Sequence, residues 1–289
     1  MCQFSFSRAV LAASLLGSVT AQAAESVPSK DVSNQGFSYF MGLGQMQSTY
    51  QEAVSILPVK SKAKSSSLIL LSGALYMLDE NYLLSLDSLS TFYPGSSNES
   101  WTATAPVFNG ITLTSPLLQQ NSFSLSISNT QLALHKRIAG DWFVFGGPTF
   151  ASSSFKRYAF IAGPDRATNI TNATVEESSS ELLGNIGLAL ESGQVRDTET
   201  HYSLRASAGT PLWRRLQNTS APNAMFTSTQ GYDLALEGRY SWSIHSKVQL
   251  GTWGRVSHSY RGKEVQGRLE MPANTLDNLG VGVELLWKL

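Results

Sequence analysis

Four histidines, His135, His201, His245 and His258, are the side chains of this chain whose ordinary chemistry is proton transfer near neutral pH. Only His258 has hydroxyls beside it, on Ser257 and Ser259, which invites a nucleophile and general-base comparison. Adjacent residues of a strand point to opposite faces, so neither serine can share a hydrogen bond with that imidazole. The single cysteine is Cys2, which excludes a disulfide scaffold, a Cys-ligated metal site and thiol catalysis. No catalytic residue, metal or cofactor is assigned on this basis. What remains is a set of ionisable groups on the polar faces of alternating segments: Asp87, His135, Arg137, Glu181, Glu191, Glu199, His201, Arg205, Asp233, Glu237, Arg239, Arg255, Glu284 and Lys288. Carboxylates and cations mixed in this way either line a conducting pore or interlock as ion pairs. Near balance of the two signs favours interlocking.

The elements that carry these groups read as strands. Leu279, Val281, Val283, Leu285, Trp287 and Leu289 share one face of the last segment, opposite Gly280, Gly282, Glu284, Leu286 and Lys288. The same period of two recurs around residues 248–257, 232–241, 199–208 and 181–191. The N-terminal half is noisier. A strand is expected near 36–50, with hairpins 64–78/82–93 around Asp79-Glu-Asn81 and 128–138/142–157 around Ala139-Gly-Asp141. Both faces are apolar at Leu68-Ile-Leu-Leu71 and Trp142-Phe-Val-Phe145, so their inward sides stay unassigned. Phe123, Leu125 and Ile127 lie on odd positions, Leu132 and Leu134 on even ones; this slip reads as a bulge or as a strand extension beyond the membrane.

Short turns fall near 79–81, 139–141, 193–197 and 242–246, and long polar connections near 51–63, 94–121, 158–176, 213–227 and 261–274. Their strict alternation is the pattern of an up-and-down membrane barrel. The fold class is therefore all-β, a transmembrane antiparallel barrel of about ten strands, with twelve as the alternative count. A turn centred on 244 sets Asp233 opposite Arg255 as a cross-strand ion pair.

Composition agrees with this class. Charged residues are 15% of the 289, against about 25% in soluble domains. With 21 basic and 21 acidic side chains there is no net field for nucleic acid. Segments of about 12 residues suit membrane-crossing strands of about 9–11 better than soluble strands of about 5–6. Aromatics gather toward segment ends at Tyr76, Tyr82, Trp142, Tyr240, Trp242 and Trp287, where interfacial girdles belong. At the N-terminus Arg8, the apolar run Ala9–Val19 and Ala21-Gln-Ala23 form a secretory signal over 1–23. Residues 24–35 then make a periplasmic tail and 36–289 the barrel.

On these features, and on the ending Val281-Gly-Val283-Glu-Leu285-Leu-Trp287-Lys-Leu289, the sequence resembles a bacterial outer-membrane β-barrel protein. Val281, Val283, Leu285, Trp287 and Leu289 resemble the C-terminal insertion signal of that class, although members usually end in Phe. The resemblance implies a Gram-negative outer membrane, surrounding lipid, and the barrel-assembly machinery as a partner during insertion. No nucleic-acid partner is expected. The function it implies is a narrow, porin-like channel or a surface scaffold whose loops, with Trp101, Phe108, Arg157, Tyr158, Asp165 and Arg166, contact an extracellular ligand. A ten-stranded barrel is little wider than one that side chains fill, which favours a filled or very narrow lumen. The alternative function is an outer-membrane hydrolase, similar to omptins or outer-membrane lipases, with His258 near the outer rim. Gly42-x-Gly44 reads as small inward residues near barrel closure.

Overall fold

The computed structural model describes residues 36–54, 57–192, 200–267 and 269–289. The signal and tail read over 1–35, and Glu199, lie outside the described residues. Alternating sequence becomes strand throughout: β1 (Phe37–Val54), β2 (Val59–Met77), β3 (Tyr82–Tyr93), β4 (Ser96–Ala103), the tiny β5 (Val107–Phe108) and β6 (Ile111–Thr112), β7 (Leu117–Ala139), β8 (Trp142–Ala162) and β9 (Val175–Glu191). There follow β10 (Thr200–Asn218), β11 (Ala221–Phe226), β12 (Gly231–His245), β13 (Val248–Arg261), β14 (Glu264–Gln266), β15 (Leu269–Met271) and β16 (Ala273–Lys288).

Ten of these close a ring in the order β1, β16, β13, β12, β10, β9, β8, β7, β3, β2 and back to β1. The last strand pairs with the first from Ser38↔Lys288 to Ala53↔Ala273. β3 and β4 share one slot: β3 pairs with the lower parts of β2 and β7, and β4 with their upper parts. Pro94, which has no N–H to give a ladder, stands at the break with Gly95. The expected count of ten therefore holds.

The long polar connections hold only in part. Most of 51–63 is strand, β7 begins at Leu117, β8 runs to Ala162 and β10 to Asn218. β7 has 23 residues, about 75 Å of chain, where crossing a membrane takes 9–11. Above the membrane-sized part the outer wall face is polar, while the inner face mixes polar side chains with a buried apolar core. The period-two signal fades there while the hydrogen-bond ladder continues. The slip in β7 has the same origin. Phe123, Leu125, Ile127, Ala133 and His135 are all buried on one inward face, and the register is regular from Ser122 to Gln131. The apolar residues change sides, from inside above to outside below; no bulge intervenes there.

Among the register shifts elsewhere, two turn side chains outward. Phe92 is the extra residue between Leu68↔Tyr93 and Ile69↔Thr91, and Leu212 the extra one between Pro211↔Leu183 and Trp213↔Leu182. Each turns two neighbouring side chains outward together: Phe92 with Tyr93, and Leu212 with Trp213. The hairpin β12–β13 also corrects the expected ion pair. Its turn is Ser246-Lys247, so Glu237 faces Arg255 and Asp233 faces Ser259.

Inside, an apolar core runs along β1, β2, β3, β7 and β8 and takes in Phe40, Ile69, Leu71, Leu83, Phe123, Phe155 and Trp253. Ile69, Leu71, Phe143 and Phe145 settle the inward sides left open above. The Trp253 indole lies across Gly42, Gly44, Gly280 and Gly282, on the two strands of the closing seam. A Cβ at position 44 would stand 2.4 Å from the Val281 carbonyl oxygen and 2.5 Å from Trp253 Cζ2. Gly44→Val is thus expected to cost at least about 2 kcal/mol by overpacking, and the folded, heat-modifiable gel band should be lost or strongly depleted. Leu43→Ala, at an outward position 57% exposed, should keep that band.

Candidate functional site

The inward ionisable groups assemble in the lower half of the lumen because they occupy the same phase on neighbouring strands. Arg205 Nη1 donates to Asp87 Oδ2 at 3.1 Å and its Nε to Glu191 Oε1 at 2.7 Å. Arg239 Nη2 donates to Asp87 Oδ1 at 2.9 Å and its Nε to Glu237 Oε1 at 2.9 Å. Arg255 Nη1 completes the chain to Glu237 Oε2 at 3.1 Å. Glu284 sits 3.7 Å from Arg239, and the Arg239 guanidinium stacks 4.1 Å over the Phe40 ring. Six strands contribute to this one network, so no hairpin holds it alone.

His135 and His201 flank it. His135 Nε2 is 2.9 Å from Ser85 Oγ and its ring stacks on Phe145. His201 Nδ1–H donates to the Ser192 carbonyl at 3.1 Å, and its Nε2 lies 3.7 Å from Glu191. Arg137 is half-buried over the Phe143 ring, and Lys288 is half-buried at the lower end. Every expected inward group among the described residues thus faces the lumen. Val281, Val283 and Leu289 of the terminal pattern face outward, with Leu285 and Trp287 on the same side but partly covered.

A cavity of about 150 Å³ lies above this network, with Asp87, Glu177, Glu181, Arg214, Asp233 and Arg255 in its wall beside apolar residues such as Leu71, Phe155 and Leu216. Two further clusters lie in the lumen, the first of them in the cavity wall. Arg261 Nη2 bridges Glu181 and Asp233, and Arg214 Nε lies 3.0 Å from Glu181 Oε1. Across the barrel Arg157 donates to Glu52 at 2.8 Å and to Glu99 at 2.8 Å, beside the rings of Tyr50, Trp101 and Phe123. Sequence reading missed Glu52, Glu99, Arg214 and Arg261 because their segments were taken as loops, and Glu177 because β9 begins before the 181–191 segment that was recognised. It misplaced Arg157, which is buried at 6% and holds the upper lumen. Alternation of Tyr50 with Glu52, or of Arg214 with Leu216, was the available signal.

The loops at the upper end are packed. Asn109 and Gly110, at φ 48° and 78°, turn the β5–β6 hairpin, as an Asn-Gly pair does in a tight two-residue turn. Phe108 is buried there with Val59, Leu118 and Ala167, and so is not offered to a partner. Trp101 donates Nε1–H to Asn121 at 2.9 Å, and the Tyr158 hydroxyl meets Ser96 Oγ at 2.9 Å. Asp165 accepts from the Thr114 hydroxyl and from the backbone N–H of Thr114 and Ser115. The Thr114 hydroxyl, then the two N–H groups, hold the Asp165 carboxyl below its ordinary value.

His258 is the sequence-selected histidine near the upper rim. Its Nδ1 lies 2.6 Å from Asp277 Oδ1 on the next strand. It shares the outward phase of Val256, so the pair lies on the outer wall, away from the lumen. Ser257 faces inward and bonds Asn278, and Ser259 bonds Asp233. Neither serine reaches the imidazole. His245 is exposed at a lower turn.

No protein-family model matches the chain, and no curated protein matches its sequence. Among solved structures, the outer membrane protease OmpT from Escherichia coli is similar over 92% of this chain and 99% of its own, with 8% identity and a TM-score of 0.61. The translocator domain of the autotransporter NalP from Neisseria meningitidis aligns over 97% and 95%, with 10% identity and a TM-score of 0.37. The chain has the all-β, antiparallel, up-and-down fold of a ten-stranded bacterial outer-membrane barrel.

Proposed function

We propose that the protein is an integral barrel of a Gram-negative outer membrane whose lumen is filled, and that it works as a scaffold presenting packed extracellular loops. The outer wall supports the membrane part. Met41, Leu43, Leu134, Ile186, Leu188, Leu204, Leu236, Val281 and Val283 are each 46% to 64% exposed and form one belt. An exposed apolar surface of that extent is rare on a soluble monomer. From Trp242 to Tyr232 the belt spans ten residues of β12, about 25 Å high at a strand tilt of about 40°. Tyr39 stacked on Trp287 at 4.7 Å, with Trp142, Tyr240 and Trp242, marks its lower edge. The closed ring leaves the wall no unpaired strand edge in hydrocarbon.

The observation that carries the filled lumen is the loss of solvent-accessible surface by inward residues at belt height. Phe40, His135, Trp253 and Glu284 are 0% to 4% exposed, and Arg205 and Arg239 8%. A water-filled pore would leave such side chains wet. Paired charges of both signs also lack the single-sign ring of an ion-selective filter. The channel reading of the sequence is therefore disfavoured. The serine-based hydrolase reading gains nothing from His258, which bonds Asp277 on the outer wall while Ser257 and Ser259 pair with Asn278 and Asp233.

Fractionation should recover the protein with detergent-extracted outer membrane; a folded monomer in plain buffer would refute the membrane reading. In planar bilayers the wild type should give no reproducible conductance steps. Removing Phe40, Asp87 and Arg239 together by alanine should open a pathway, because one ion pair and its ring cover are deleted without leaving Arg239 charged and alone. Truncating Arg205 by itself should cost about 3–5 kcal/mol in unfolding free energy, since Glu191 and Asp87 stay buried. The loop clasp has its own pH response. The depressed Asp165 group contributes stability that is present above the ordinary aspartate range and is lost as pH falls through its lowered value. Protease nicking of 104–116 should rise only in acid for the wild type, and at neutral pH for Asp165→Asn.

A further inference from the structure

Charges on the outer wall above the belt are paired on several strands: Lys156 lies 3.7 Å from Glu176, and His258 2.6 Å from Asp277. β2 is different. Lys60, Lys62 and Lys64 occupy three successive outward positions and are all exposed. Their cross-strand neighbours carry no charge. Lys60 lies between Ala53 and Thr102, Lys62 between Gln51 and Ser100, and Lys64 beside Thr49. Among the described residues none of the three has a salt bridge. Residues two apart on a strand stand about 7 Å from one another, so three ammonium groups repel along one edge with no acid to offset them. Glu52 and Glu99, the nearest acids in sequence register, point inward to Arg157.

Directly below the lysines the same strand changes character, through Ser66 to Leu68, 51% exposed. Opposite Leu68 is the bulge that turns out both Phe92 and Tyr93, at 71% and 67% exposure. Two adjacent aromatics on one face need that extra residue, so the bulge builds an apolar ledge beneath the cationic row. Cations above and aromatics below make a surface with one vertical polarity. Polybasic segments just outside hydrocarbon attract anionic headgroups, and aromatic rings settle at the interface.

We propose that this face of β2, with Phe92 and Tyr93, binds an outer-leaflet lipid whose headgroup carries two or more phosphates. The phosphates meet Lys60, Lys62 and Lys64, and the acyl chains lie on Phe92, Tyr93 and Leu68. A free phosphate would use only the upper half of the surface, and a neutral lipid only the lower half. The proposal rests on the membrane reading given above.

The test uses the folded barrel in non-ionic detergent, with retention of added lipid read by native mass spectrometry. The probes are a bisphosphorylated acylated glucosamine disaccharide, its dephosphorylated form, and inorganic pyrophosphate. The wild type should retain the bisphosphorylated lipid at least tenfold better than the dephosphorylated one, with the preference falling as salt is raised. K60Q/K62Q/K64Q should abolish that preference while keeping the folded gel mobility, since all three side chains are exposed. F92S/Y93S should weaken both lipids alike. Equal retention of the two lipids by the wild type, an unchanged preference in the triple glutamine variant, or pyrophosphate competing as well as the lipid would each overturn the site. A barrel that needs detergent yet shows no preference sinks this lipid site alone; one that is monomeric and folded without detergent sinks the membrane reading first.

Discussion

The pairing of β16 with β1 is the constraint on which every other feature rests. Sixteen residue pairs close the ring, so the wall is left with no open edge. Closure at ten strands fixes a narrow interior, and a narrow interior decides what its side chains must do. Trp253 can lie across the seam only because β1 and β16 offer glycine beneath it at 42, 44, 280 and 282. The seam is thus sealed twice, by the backbone ladder and by an indole laid over it from inside.

Along each strand the solvent on the two sides of the wall exchanges character. At belt height the outside is apolar, and the inside mixes ion pairs with rings such as Phe40. Higher up the outside is serine, threonine, glutamine and lysine, while Tyr50, Phe123, Leu125, Ile127 and Phe155 pack within. Apolar residues therefore serve twice in one strand, first on the outer belt and then in a core that resembles a soluble protein's. The buried Arg157 cluster lies in this upper storey, where its two carboxylate partners come from β1 and β4.

This exchange explains what could be read from the sequence. In the C-terminal half the outward face is apolar and the inward face polar, so alternation revealed β10, β12, β13 and β16 together with their inward Arg and Glu residues. The strand count and the closing pair followed from the same pattern. In β2 and β8 both faces are apolar, since Ile69, Leu71, Phe143 and Phe145 fill the lumen, and a period of two vanishes when both phases carry the same chemistry. The upper storey was read as loop for the opposite reason, being polar outside with a core assembled from residues far apart in the chain. Arg157, Glu52 and Glu99 could not be joined without knowing that β4 continues β3. The Asp233–Arg255 expectation failed by four residues because hairpin register depends on the turn being Ser246-Lys247, and a strand pattern alone leaves that position open.

Register also gives the interior charges a purpose that packing alone would not. A one-residue slip between β12 and β13 would turn the apolar belt inward and the ion pairs outward, exchanging both faces at once. A two-residue slip is different, since Leu234, Leu236, Val256 and their neighbours would merely trade places along a uniform belt. The inward face does not allow that exchange. In the observed register Glu237 lies opposite Arg205 on one side and Arg255 on the other. Sliding either neighbour by two in one direction sets Arg239 against a guanidinium, and in the other direction sets Ala235 there, leaving a cation without its partner. Like charges directly opposed are destabilising, and an unpaired buried guanidinium more so. The outward apolar residues thus select which face points inward, and the ion pairs within select which of the remaining registers is native.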